Sequence, residues 1–335
     1  MNESDETNWD VTSSNSTELL RNSSEVKLAP LIIVIVTCAV ATSTNLLVLT
    51  ILLCEHQIRK NYRIEFILWL CLSDLVLSIA GWLFVFNYVI KELTMNTHYC
   101  SLMYYLITVG IDQSLAHTFL ICIDRYMAVV NHTRYQLFSK NYRYMVTFGT
   151  WVFIHGYVGT LVIIFMRADH ISYCSLTAYP RHKAFVSAVA FLNLPLLIST
   201  PCLYISTMVM FKNRSKRTHN YPQVCVVDPS GNASQSCSIH VQERNTIRHI
   251  YEKQVIITTG LIVVNLLVLS GPLVMIIFLE GLEIIVISRS TRIFTCLMTL
   301  CNSAVNPFLY VCRIRKVRQV LRKAFCPCKP TDTSR

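Results

Sequence analysis

Asp124-Arg125-Tyr126 closes one long apolar run of this chain, and Asn306-Pro307-Phe308-Leu309-Tyr310 closes another. Between Asp74 and Tyr310 most polar side chains are separated by such runs. A charged or amide group held at the end of an apolar run is costly in lipid and is kept there for a reason. The runs are long enough to cross a bilayer core of about 30 Å. They fall at 28–54, 64–90, 99–130, 145–166, 184–211, 252–279 and 290–311. Asp124-Arg125-Tyr126 sits at the end of the third and Asn306 to Tyr310 at the end of the seventh. The runs do not alternate apolar with polar residues, which excludes the strand pattern of a membrane barrel. The predicted fold is an all-α membrane protein, a seven-helix bundle.

Composition agrees. The chain has 335 residues, of which 53% are hydrophobic and only 15% charged, with nine glycines. A soluble domain carries more charge than this. With the N-terminus placed outside, 22 of the 30 Lys and Arg residues fall on the cytoplasmic side and eight outside, as the positive-inside rule asks. The net charge of +11 is then a membrane-surface feature. It does not indicate nucleic-acid binding, which needs a soluble basic face. The expected placement is a multi-pass protein of the plasma membrane, N-terminus extracellular and C-terminus cytoplasmic.

Three regions follow. Residues 1–27 are polar and acidic and carry sequons at Asn2, Asn15 and Asn22, so an extracellular glycosylated tail is expected. No apolar stretch follows a basic start there, so the first span is expected to act as signal-anchor. Residues 28–311 form the bundle, including a polar cytoplasmic loop at 212–250 read as disordered and open to partner contact or phosphorylation. Residues 312–335 form the tail. In it, Ile314, Val317, Val320, Leu321 and Phe325 recur at helical spacing among basic residues, which predicts an eighth, amphipathic helix lying on inner-leaflet lipid. Cys326 and Cys328 follow it and are read either as free thiols or as palmitoylation sites. Most of the 14 cysteines fall in spans or on the reducing side. Cys100 and Cys174 face the oxidising side away from upper helix ends, and a disulfide between them is expected.

The residues quoted so far, with several markers, resemble the rhodopsin-like (class A) G-protein-coupled receptors across about residues 28–326. Asn45 in the first span, Asp74 in Leu70-Cys71-Leu72-Ser73-Asp74, Cys100 standing 25 residues before Arg125, Trp151, Pro195, Pro272 and Asn306-Pro307-x-x-Tyr310 occur in the family's order. The resemblance implies coupling to heterotrimeric G proteins, with arrestin as a second partner. It implies that Asp124, Arg125, Tyr126 and Tyr310 belong to the coupling face. It also implies that Glu252, twenty residues before Pro272, pairs with Arg125 in a resting-state lock. A solvated Glu252 beside Lys253 is the competing reading. Asp74 needs partners in the membrane interior, and Ser114, Asn302, Ser303 and Asn306 offer them. In similar receptors this constellation holds a sodium ion as a negative modulator, chemistry that suits hard oxygen donors. A polar core without an ion is the other reading. No further cofactor is expected.

The chain also departs from the family. Ser270 stands where a tryptophan is usual, Leu266 where a phenylalanine is usual, and Tyr204 lies nine residues after Pro195 where eight is usual. These changes put altered, constitutive or absent signalling in play. Ile107 occupies the position of the amine-binding acid and Leu300 that of the retinal lysine, so neither ligand is expected. Candidate pocket residues are Ile107, Ile111, Asp112, Ser270 and Arg292. Asp112 points towards spans four and five, with His155 as its candidate partner, as a structural pair or a ligand contact. Arg292 and other outer cations suggest an acidic small molecule or lipid acid, against the reading that they are ordinary solvated charges. No catalytic motif is present, so an enzyme is not expected. The alternatives to a signalling receptor are a non-signalling partner or decoy receptor and, without internal repeats to support it, a transporter or channel.

Overall fold

The structure is a computed structural model that describes the backbone of residues 10–54, 65–90, 96–131, 135, 140–167, 183–220, 234–313 and 318–319. Eight helices are described: α1 (Asp10–Cys54), α2 (Glu65–Val89), α3 (Thr97–Val130), α4 (Lys140–Arg167), α5 (Lys183–Asn220), α6 (Ser234–Leu269), α7 (Gly271–Gly281) and α8 (Arg289–Arg313). Six of them carry a stretch long and apolar enough to cross a membrane: Leu31–Cys54, Glu65–Val89, Thr97–Val130, Asn141–Phe165, Lys183–Lys216 and Glu252–Leu269. The chain is therefore a multi-pass membrane protein. Large apolar side chains such as Val36, Phe148, Phe191 and Ile205 face outwards, the inverse of a soluble surface.

α3 is the axis of the bundle. Of its apolar window 72% is buried, against 22% for α4. It packs on α2, α4, α5 and α6, while α8 closes the other side against α1, α2 and α6. This explains why α3 can hold Thr108, Asp112, Gln113, Ser114, His117 and Thr118 in its buried faces: each is enclosed within the bundle instead of facing lipid. The approach of α3 to α2 depends on Gly110. A Cβ there would stand 2.8 Å from Cβ of Leu77 and 2.9 Å from its Cα, closer than side chains pack.

The sixth apolar run is broken. α6 ends at Leu269, Ser270 takes φ −104° and ψ −26°, and α7 starts at once with Pro272 in its first turn. Proline has no N–H to give to the residue four earlier and its ring crowds that turn, so the run bends here. Hydrogen bonds from Ser270 N to Leu266 O (2.8 Å) and from Val274 N to Ser270 O (3.2 Å) bridge the break. Pro195, Pro201 and Pro307 sit inside unbroken helices.

One part of the sequence reading changes. Segment 212–250 is not a loop throughout: α5 continues to Asn220 and α6 begins at Ser234. Apolar periodicity marks only the part of a helix that needs lipid. Lys, Arg and Gln continue a helix well beyond it. Residues 221–233 lie outside the described residues, as do Asn2, Cys174, Cys326 and Cys328. Asn15 and Asn22 fall within the helical stretch of α1 that precedes Leu31. Of the expected eighth amphipathic helix only Arg318 and Gln319 are described, and both are helical.

Candidate functional site

The polar centre of the bundle is built on Asp74, fully buried in α2. Its two carboxylate oxygens accept from two residues one turn apart on α8: Ser303 Oγ donates to Oδ1 at 2.9 Å and Asn306 Nδ2 to Oδ2 at 3.0 Å. Asn302 does not reach Asp74. Its Nδ2 donates across to Ser114 Oγ of α3 at 3.5 Å. Asn45 of α1 donates to Ser303 O at 2.9 Å, which brings a fourth helix to the same point.

A residue that sequence reading missed completes the group. Asn265 of α6 donates through Nδ2 to Asn302 Oδ1 at 2.8 Å and lies 3.2 Å from Asn306 Oδ1. The signal was present, since Asn265 is the only polar residue in the stretch Leu261–Leu269. α1, α2, α3, α6 and α8 thus meet at one polar junction. Hydrogen bonds to a charged group are worth about 1.5–3 kcal/mol each, more than neutral ones.

A second group sits at the far end of α3. Arg125 forms an ion pair with its neighbour Asp124, and both side chains are nearly buried. Tyr135 joins them, donating its hydroxyl to Asp124 Oδ1 at 2.9 Å and lying 3.4 Å from Arg125 Nη2. Arg143 of α4 stands 3.8 Å from Asp124 Oδ1 and over the Tyr135 ring, its guanidinium carbon 4.8 Å from the centroid. Arg125, Tyr135 and Glu252 line one cleft between α3 and α6. Arg214 of α5 reaches Val129 O at 3.3 Å at the same end. Tyr126 is half-buried there. Tyr135 and Arg143, not singled out from sequence, belong to this group through their contacts with Asp124.

The candidate pocket residues divide. Ile107 and Ile111 line a cavity of about 60 Å³ between α1, α2, α3, α7 and α8. Asp112, Ser270 and Arg292 do not line it. Asp112 does point to α5, but its partner is Asn193, whose Nδ2 donates to Oδ1 at 2.8 Å. The expected pairing with His155 is not made. His155 Nδ1 instead lies 2.6 Å from the Tyr105 hydroxyl, and its ring stacks on Trp151 at 5.1 Å. Helical phase predicted the direction of Asp112 correctly, but the nearer amide on α5 takes it. Trp151, the marker on α4, donates Nε1 to His117 Nε2 at 3.2 Å and packs on Trp69 of α2.

Arg292 is neither a rim charge nor a solvated one. It is buried and paired with Glu280 of α7, whose side chain is nearly buried as well. Lys183 likewise pairs with Glu283, at 2.6 Å on the surface. Two of the cations that suggested an acidic ligand are therefore already matched. Taking Glu280 from Arg292 would strand a buried charge, at a cost of about 3–5 kcal/mol.

At the start of α3, Cys100 is buried and disulfide-bonded, and its expected partner Cys174 lies outside the described residues. Asn96 caps this helix by accepting from Tyr99 N at 3.0 Å.

The model of the seven-transmembrane receptor family (rhodopsin family) matches residues 44–310 of the chain, and the chain belongs to that family. The match runs from Thr44 beside Asn45 to Tyr310, so it takes in both polar groups just described. No curated relative matches the chain.

Proposed function

We propose that this protein is a G-protein-coupled receptor of the plasma membrane, N-terminus extracellular and C-terminus cytoplasmic, that activates heterotrimeric G proteins through the inner ends of α3, α5 and α6. In this reading α8 is the seventh span. Its polar residues Asn302, Ser303 and Asn306 are turned onto Asp74 and its neighbours instead of lipid, which lowers its apolar character without removing it from the bundle.

The observation that carries the proposal is the buried Arg125, held by Asp124 and Tyr135 and lining a cleft with Glu252 of α6. Nothing in a static membrane scaffold requires a charge there, whereas a receptor needs a contact that joins α3 to α6 and can open. Sodium at Asp74 acts as a negative modulator and arrestin as the partner that ends signalling. Asn2, Asn15 and Asn22 are glycosylated, Cys100 pairs with Cys174, and Cys326 and Cys328 are palmitoylated.

A second reading has a specific observation behind it. Ser270 sits buried at the break between α6 and α7, where similar receptors carry tryptophan. A small side chain at this bend transmits less motion, which favours a partner or decoy receptor that does not signal.

Agonist-free activation of a panel of G-protein families in transfected cells separates the two. The receptor reading expects a basal signal that Arg125→Ala abolishes and Glu252→Ala raises, since about 1.4 kcal/mol shifts a two-state equilibrium tenfold. Ser270→Trp changes the basal level. No signal from the wild type or from Glu252→Ala and Ser270→Trp, at normal surface expression, supports the silent partner.

A further inference from the structure

We infer that Arg143 of α4 is a positioning residue for the coupling face, a second cation that keeps Asp124 paired when Arg125 leaves it. The inference rests on the receptor reading for what Arg125 does once it leaves, and it adds a residue and a role to that contact.

Asp124 is shared between two arginines. Its Oδ2 takes the ion pair with Arg125. Its Oδ1 accepts the Tyr135 hydroxyl at 2.9 Å, and Arg143 Nε stands 3.8 Å from that same oxygen. The two guanidiniums therefore address different oxygens, and one can leave without displacing the other. Arg143 also has a seat of its own. Its guanidinium carbon lies 4.8 Å from the centroid of the Tyr135 ring, and its Nη2 donates to Tyr135 O at 3.4 Å. Its side chain is as enclosed as that of Asp124, at 6% and 5% exposure. A cation held at that depth needs an acid beside it, and Asp124 is the acid it faces.

The charges show what this arrangement does. Arg125 lines its cleft with Glu252, so the group holds two cations, Arg125 and Arg143, and two acids, Asp124 and Glu252. Were Arg125 the sole cation at Asp124, its release would strand a nearly buried carboxylate, and that cost would keep the inner end shut. With Arg143 beside Oδ1, release leaves a neutral Asp124–Arg143 pair and an intact Tyr135 bond. Closing the present 3.8 Å to the length of a charge-assisted hydrogen bond takes a shift of about 1 Å. Arginine suits the task because its planar guanidinium stacks on Tyr135 while its N–H edge turns to the carboxylate. A lysine supplies the charge without the stacked plane.

Thermal unfolding of the purified full-length receptor in lipid nanodiscs tests this without a G protein. Arg125→Ala and Arg143→Ala each leave Asp124 one cation, so each lowers the midpoint modestly. The double variant leaves it none, and its midpoint falls well beyond the sum of the two single falls. Adding Asp124→Asn removes the stranded charge and recovers the excess. Arg143→Lys in the Arg125→Ala background also avoids most of it. If the double variant does not fold, recovery of its surface expression by Asp124→Asn reads the same effect. Additive falls, or a loss that Asp124→Asn does not recover, overturn the inference and leave Arg143 as packing against Tyr135. In cells, Arg143→Ala lowers the agonist-free signal about tenfold, while Asp124→Asn with Arg143→Ala signals as Asp124→Asn alone does. A signal that Arg143→Ala leaves unchanged overturns the positioning role. The excess loss on unfolding with no signal from any variant overturns only the receptor reading, and a signal with additive unfolding overturns only this inference.

Discussion

Asp74 and Asp112 are both fully buried carboxylates in adjacent helices, and the bundle treats them differently. Asp74 has a donor on each oxygen, both from α8, and those donors are tied through Asn45 to α1 and through Asn265 to α6. Asp112 has a single donor, Asn193, and its Oδ2 is buried without a hydrogen-bond partner, as is Asn193 Oδ1. Burial alone does not make an acid a junction. What separates the two is how many helices respond when the acid changes: five meet at the Asp74 group, while Asp112 joins only α3 to α5.

The largest expected effect is therefore at Asp74. Asp74→Ala removes two hydrogen bonds to a carboxylate, each about 1.5–3 kcal/mol, and strands Ser303 and Asn306 in the bundle. Thermal unfolding of the purified receptor should show a far larger loss than Asp112→Ala gives. A greater loss at Asp112 would reverse the comparison.

Next comes the contact that sets the spacing between the two acids. Gly110 lies two residues before Asp112 and faces Leu77, three residues after Asp74. Gly110→Ala forces α2 and α3 apart, an overpacking cost of about 1–3 kcal/mol. Gly149 on α4 has nothing within 4 Å of a Cβ, so Gly149→Ala should instead stabilise by up to about 1 kcal/mol through helix propensity. The same unfolding assay reads both, and equal effects would mean that the α2–α3 contact is not tight.

The smallest effect belongs to Asp112→Asn. The amide keeps an acceptor for Asn193 and removes a carboxylate that is only half satisfied, so the change should stay within about 1 kcal/mol. A loss comparable to Asp74→Ala would show that Asp112 has a second function.

The contrast also marks what the sequence makes legible. Charged and amide residues inside apolar runs stand out because lipid penalises them, and so Asp74, Asn302, Ser303, Asn306 and Arg125 could be picked out and grouped before any coordinates. The pairing of helices is another matter. Asp112 was given to His155 on helical phase, but phase fixes a direction and not a partner, and Asn193 on α5 lies closer. Arg292 read as a rim cation because Glu280, its partner, lies across a turn from it. Asn265 was overlooked although it carries the same signal as Asn302. Helix ends were the least legible, since α5 and α6 run on through polar sequence once they leave the apolar layer.

The claim on which this account turns is that the Asp74 group is an ion-responsive junction of five helices. The direct measurement is thermal unfolding of the purified full-length receptor as sodium replaces N-methylglucamine at constant ionic strength, for the wild type and Asp74→Asn. The account predicts that sodium raises the wild-type midpoint, saturating as a single site would, and leaves Asp74→Asn unmoved. The same response to sodium in both proteins would contradict it and leave Asp74 as a hydrogen-bonded core residue without an ion.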